Sequence, residues 1–211
     1  MTRFHRLATT FALILLAAAL IGGCGKPTPE GEFTIGSRAP GFHLRNVDNR
    51  QVSLADYRGR PAVLVVFTCN HCPYSVAYED RLIRYQKGYS ERGVQFLLIN
   101  SNDPKKKPED SFEKMQIRAR EKNFPFPYLL DETQQIAKAY GASRTPEVYL
   151  LDSNLTLVYH GRIDDNIKED EVTQHDLRSA IEHLLVGHPE QIDPKVTKAF
   201  GCTIKWRDRN S

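Results

Sequence analysis

"FTCNHCPYS", residues 67–75, sets two cysteines three positions apart, with a histidine between them and a proline directly after. It continues "PAVLVVF" (Pro61 to Phe67), an unbroken Val-rich apolar run of strand length, the pattern expected of a strand buried on both faces. Downstream, Tyr78, Leu82, Tyr85 and Tyr89 recur at spacings of four, three and four, which makes one apolar stripe of a helix. Cys69 and Cys72 therefore lie where a central strand hands over to a helix. In open α/β sheets, ligand and reaction sites lie at such places, beyond the carboxyl ends of the strands. The unpaired N–H groups and positive dipole end of a helix start also favour a thiolate.

Further elements follow outward from this centre. "FHLRNVDNRQVSL" reads as two short strands about an Asn/Asp-rich turn, and "VQFLLIN" (Val94 to Asn100) as a second buried strand. A helix is expected from roughly Glu109 to Lys122, with Phe112, Met115 and Ala119 inward. "FPFPYLLDE" is excluded from helix by its prolines. A short helix follows, with Asp131 as its cap, Gln134 three residues on and Gly141 closing it. "PEVYLLD" and "LTLVYHG" read as an antiparallel hairpin about Ser153-Asn154. The final helix takes Thr173 as cap, Leu177, Ala180, Ile181 and Leu184 as stripe, and Gly187 as stop. Strands joined through helices imply parallel pairs, so the expectation is an α/β fold: a mixed central sheet flanked by helices, with an N-terminal β-hairpin extension.

The N-terminus has a different character. Arg3 and Arg6 precede "LATTFALILLAAALI" (Leu7 to Ile21), an apolar core of the kind found in export signals. "LIGGC" (Leu20 to Cys24) resembles the lipobox of bacterial lipoproteins, which implies cleavage before Cys24 and a lipid on its sulfur. The expected organisation is a signal peptide over 1–23, a tether to a lipid anchor over 24–32, one domain over 33–206 and a tail over 207–211. The protein would be exported and held on a membrane of the bacterial cell envelope, facing the periplasm. The chain's net charge is +3, of which the leader arginines supply two, too little to suggest a nucleic-acid partner. Lys105, Lys106 and Lys107 are followed by Pro108, Glu109 and Asp110 and read as a solvated loop.

The two cysteines have four conceivable uses: a metal site, an inert staple, a redox pair or a peroxide-attacking centre. One C-x-x-C supplies two of the four ligands that a structural zinc needs, and His43, His160 and His175 are scattered along the chain, so no metal is expected. A staple closing so short a loop would constrain the chain little.

C-x-x-C after a buried strand, Pro73 behind it, and "RTP" (Arg144-Thr145-Pro146) before a late strand together resemble the thioredoxin superfamily. "CNHCPY", "INSND", "YHGRIDD" and the closing "GCTIKW" are similar to a peroxiredoxin-like redoxin group within the alkyl hydroperoxide reductase/thiol-specific antioxidant relatives. The resemblance spans about Ile35 to Trp206. It implies a thioredoxin-like fold, a cis peptide before Pro146 and a redox-active disulfide between Cys69 and Cys72 without any cofactor. Cys69 would attack from the more solvent-exposed position, Cys72 would resolve, and His71 would favour the thiolate. The partners implied are proteins bearing thiols or disulfides, or a reducing system.

Two alternatives remain. Peroxiredoxins carry P-x-x-x-T/S-x-x-C, whereas Val66 and Ala62 stand three and seven positions before Cys69, so the thiol-dependent peroxidase, an antioxidant role, is the runner-up. A copper chaperone is weaker still, because copper-delivery proteins of this fold use C-x-x-x-C-P and "CNHCP" is one residue short. Thr145, Arg144 and Cys202 are possible auxiliaries: Arg144 could hold a thiolate or form a surface ion pair. Cys202 could resolve Cys69, bridge chains or be structural. Asp164 and Asp165 are candidate proton relays to Cys72, or residues of a turn. Tyr74 and Trp206 are candidates for a partner-binding surface.

Overall fold

The computed structural model describes Met1 and residues 33–208. The expected signal peptide, the tether with Cys24 and the end of the tail at 209–211 lie outside the described residues. No described helix is long and apolar enough to cross a membrane.

The run after Pro61 forms β3 (Ala62–Phe67), all six residues buried, and "VQFLLIN" forms β4 (Val94–Asn100) beside it in parallel. The hairpin is β1 (His43–Asn46) and β2 (Gln51–Ser53), and the late pair is β7 (Glu147–Leu151) and β8 (Leu157–Gly161). A short strand, β5 (Tyr128–Leu130), lies between them in the sheet, whose order is β2-β1-β5-β4-β3-β7-β8. Because β1 pairs antiparallel with β5, the N-terminal hairpin extends the main sheet itself.

Alternation along β3 divides the core, since neighbouring strand residues face opposite sides of a sheet. Ala62, Leu64 and Val66 join Tyr78, Leu82, Met115, Leu177 and Ile181 on one face. Val63, Val65 and Phe67 join Leu54, Ala137, Tyr140 and Tyr149 on the other. The first face is covered by α1 (Pro73–Tyr89), α2 (Phe112–Glu121) and α4 (Asp176–Leu185), and the second by α3 (Gln135–Tyr140). Tyr78, Leu82 and Tyr89 are buried as their spacing requires.

Three expected boundaries move. Helix α2 starts at Phe112, capped by the Ser111 hydroxyl, because Pro108–Asp110 forms a separate 3-10 turn. The N-cap of α4 is His175; Thr173 instead donates its hydroxyl to Asp165, whose carboxylate also accepts the Thr173 amide. The N-cap of α3 is Gln134, while the Asp131 carboxylate reaches past it to accept the amide of Ala137 at 2.9 Å.

Candidate active site

Strand β3 delivers Cys69 to the carboxyl end of the sheet, and Cys72 is the N-cap residue of α1. Pro73 is the first helical residue, where its missing N–H costs nothing. Both thiols are free and buried, with Cys69 2 % and Cys72 0 % exposed, so exposure does not separate an attacking from a resolving sulfur as expected. They converge on one residue. Cys69 Sγ lies 3.2 Å from Thr145 Oγ1, and Cys72 Sγ lies 3.2 Å from the Thr145 carbonyl oxygen. The Thr145–Pro146 peptide is cis.

The two thiols shift each other's acidity in opposite directions. A hydrogen bond from Cys69 pushes the Cys72 thiol down to about 4 against the opposing effect of burial, helped by the side chain and amide of Cys202 and an amide of α1. The same hydrogen bond, then burial and the Asp110 carboxylate, push the Cys69 thiol strongly up. The Cys69–Cys72 hydrogen bond thus favours loss of a first proton from the pair and disfavours loss of the second.

The CxxC loop is held by Asp110, which is fully buried. Its Oδ1 accepts the amides of Asn70 at 2.7 Å and His71 at 3.2 Å, and its Oδ2 lies 2.5 Å from His71 Nδ1 and accepts from Asn102 Nδ2 at 2.8 Å. His71 is thus an anchored residue whose ring turns to a carboxylate. Tyr128 donates its hydroxyl to Asn70 Oδ1 at 3.0 Å, fixing the loop from β5. Donor atoms of Cys69, His71 and Asp110 lie within 4.8 Å of one another. Both Asp110 oxygens already have two partners each, so a cation there would have to displace His71 and Asn102.

The opposite wall is a two-stranded sheet of β6 (Arg144–Thr145) and β9 (Cys202–Thr203), with Thr145 opposite Cys202. The Cys202 amide donates to Cys72 Sγ at 3.4 Å. Arg144 Nη1 donates to the Gly201 carbonyl at 3.0 Å, so it secures β9 and is not aimed at a thiolate. Behind Pro146, the buried Glu147 accepts the amides of Ser143 and Arg144 and lies 2.7 Å from His160 Nε2. Burial raises its pKa, but His160 and the two amides outweigh that and hold it below the usual carboxylate value.

Of the two roles considered for Asp164 and Asp165, a proton relay or a turn, the contacts fit the turn for Asp165 and a buried ion pair for Asp164. Asp164 pairs with Arg81 and accepts the Tyr78 hydroxyl at 2.6 Å, and Asp165 closes the turn to Thr173. Tyr74 is exposed beside the CxxC and packs edge-on against Phe200, whereas Trp206 packs against the second core face. Asp110 and Glu147 carry no signal in the sequence, because each is an ordinary polar residue whose functional partners are not marked by any local pattern. "INSND" and "GCTIKW" were a usable hint for Asn102: its Oδ1 accepts the amide of Lys205 at 2.8 Å, joining those two motifs.

Residues 35–160 match the family model described as the AhpC/TSA family. The chain belongs to the AhpC/TSA family. It is similar to a conserved protein from Geobacillus kaustophilus of known crystal structure, with 42 % identity, a TM-score of 0.78, and coverage of 87 % of this chain and 98 % of that one. It is 28 % identical over 159 residues to thiol-disulfide oxidoreductase ResA of Geobacillus thermodenitrificans, covering 73 % of this chain and 86 % of that protein. The thioredoxin domain of a thiol-disulfide oxidoreductase from Bacteroides vulgatus superposes with a TM-score of 0.58 at 19 % identity, covering 72 % of this chain and 98 % of that domain. The fold of this AhpC/TSA member is thioredoxin-like, with a seven-stranded mixed sheet flanked by helices.

Proposed function

We propose that this protein is a thiol–disulfide oxidoreductase that cycles Cys69 and Cys72 between dithiol and disulfide, and that it acts on thiol- or disulfide-bearing proteins. The observation that carries this reading is the convergence of both reduced thiols on Thr145. Cys72 Sγ is enclosed by the Thr145 carbonyl and the Cys202 amide, whereas Cys69 Sγ faces hydroxyls of Thr145 and Ser75. Cys69 therefore attacks, and its proton passes to the Cys72 thiolate as it does so. One substrate sulfur joins Cys69 and the other leaves as a thiolate, which takes the proton back from Cys72. Cys72 then attacks Cys69, closing the disulfide and releasing the second substrate sulfur as a thiolate that protonates from water. Reduction of insulin by dithiothreitol tests this. Acceleration by the wild type and its loss in both Cys69→Ser and Cys72→Ser are expected; full activity in both variants overturns it.

A peroxidase reading keeps one supporting contact, the Thr145 hydroxyl on Cys69, since the usual frame is replaced by Val66 in β3. It requires thiol-dependent consumption of hydrogen peroxide and a sulfenic acid on Cys69 in Cys72→Ser. We further propose, from the leader and "LIGGC" alone, export and lipid anchoring at Cys24. Labelled palmitate should enter the wild type and not Cys24→Ala; equal labelling sinks the anchor.

A further inference from the structure

A third thiol stands against the pair. We propose that Cys202 is a redox thiol of this site, and that the oxidised protein exchanges its Cys69–Cys72 disulfide for a Cys72–Cys202 disulfide. The inference rests on the dithiol reading above and extends it to a second, more accessible outlet for the same oxidising equivalent.

The geometry is built around Cys72. Thr145, whose carbonyl oxygen lies 3.2 Å from Cys72 Sγ, is the residue opposite Cys202 in the β6–β9 pair, so one strand pair presents Thr145 and Cys202 to the same sulfur. The Cys202 amide donates to Cys72 Sγ at 3.4 Å, and the Cys202 thiol is near enough for each of the two to shift the other's acidity. The close approach depends on Gly201. Its φ is +142°, and a Cβ there would lie 2.2 Å from the Thr145 carbonyl oxygen. Arg144 ties down the Gly201 carbonyl from the other strand. Cys202 is half-buried, whereas Cys69 and Cys72 are 2 % and 0 % exposed, so of the three it is the thiol with access to solvent.

The exchange is redox-neutral. The Cys202 thiolate attacks Cys72 Sγ, the Cys69–Cys72 bond breaks, the Cys72–Cys202 bond forms, and Cys69 leaves as a thiolate. Cys69 then takes a proton from water, replacing the one that Cys202 gave up. In the reduced protein, burial and then the neighbouring Cys72 thiolate push Cys202 up to about 11. Oxidation removes that thiolate, while Lys205 and Lys107, which favour a Cys202 thiolate, remain. Oxidation thus removes the Cys72 contribution that disfavours a Cys202 thiolate, while the contribution of burial stays.

The test oxidises full-length Cys69→Ser and Cys69→Ala with glutathione disulfide, quenches with acid, alkylates with N-ethylmaleimide and maps peptides by mass spectrometry. The expected product in both is a Cys72–Cys202 linked pair. Recovery of Cys72 and Cys202 as separate alkylated or glutathionylated peptides, in protein whose circular dichroism is native, overturns the proposal. Wild-type protein supplies a measurement independent of those variants. After oxidation and N-ethylmaleimide labelling, the label should divide between Cys69 and Cys202; label on Cys202 alone overturns the exchange. Cys202→Ser separates this inference from the reading beneath it. A Cys69–Cys72 disulfide that forms there while no Cys72–Cys202 link appears elsewhere sinks only the third thiol. Its absence in Cys202→Ser sinks the dithiol reading as well.

Discussion

Replacing Asp110 by asparagine would remove a charge and two of its acceptor positions from beneath the CxxC loop. Asp110 satisfies four donors: the Asn70 and His71 amides, the His71 ring and the Asn102 amide group. An asparagine side chain has one carbonyl oxygen, so whichever way it turns, two of those donors meet an NH2 group in a site that is 0 % exposed. At about 1–2 kcal/mol for each buried donor left unpaired, the cost is about 2–4 kcal/mol. For a domain of this size that lowers Tm by about 5–15 °C. The charge has a second effect, which packing alone would not produce. The carboxylate lies within 4.8 Å of the Cys69 sulfur, where a unit charge at an effective dielectric of about 20 contributes about 3 kcal/mol. That corresponds to a few hundredfold in acid strength. Asp110 raises the Cys69 pKa, so in Asp110→Asn the second proton of the pair should leave at lower pH. Ultraviolet absorbance of the thiolate, followed against pH in a Cys202→Ser background, reads that step, and thermal unfolding reads the first effect. A variant that melts with the wild type and keeps its upper thiol titration, or moves it upward, refutes Asp110 as the residue positioning this loop.

The lower thiol titration of the reduced protein should have its midpoint near about 4 and disappear in Cys72→Ser; in Cys69→Ala it should rise, because the Cys69 hydrogen bond is the main cause of the depression. Glu147→Gln should cost about 2–4 kcal/mol at neutral pH, since it breaks a buried contact with His160 and two amides. Because the folded pKa of Glu147 lies below its ordinary value of 4.5, its stabilisation is complete above that value and is lost as pH falls through the folded one. Denaturant unfolding of the two proteins should therefore converge on acidification; a gap that widens as pH falls contradicts the assignment. Gly201→Ala, at φ +142° and facing the Thr145 carbonyl, should destabilise by about 2–4 kcal/mol and speed alkylation of Cys72, whereas unchanged alkylation would show that β9 does not cover that thiol.

Local chemistry wrote the centre of this protein into its sequence. The apolar run of β3, the cysteine spacing, Pro73 at the helix start and the Tyr78–Tyr89 stripe each rest on neighbours within a few positions, so periodicity and backbone preference suffice to read them. Pro146 came from resemblance, because nothing local distinguishes a cis from a trans proline. The rest of the site is made by long-range meetings. Asp110 reaches back to His71 across 39 positions, and Cys202 reaches Cys72 across 130. No pattern along the chain encodes such pairings, since they are fixed only when the sheet order brings the ends of β3 and β4 beside β6 and β9. Strands β5, β6 and β9 are two or three residues long, too short for alternation to show, and they exist because neighbouring strands complete their hydrogen bonds. The acidity of the pair, too, was a tertiary outcome. The cysteine spacing announced a reactive pair, but beyond their mutual hydrogen bond it is the Asp110 carboxylate near Cys69 and the Cys202 amide on Cys72 that bias the two sulfurs apart.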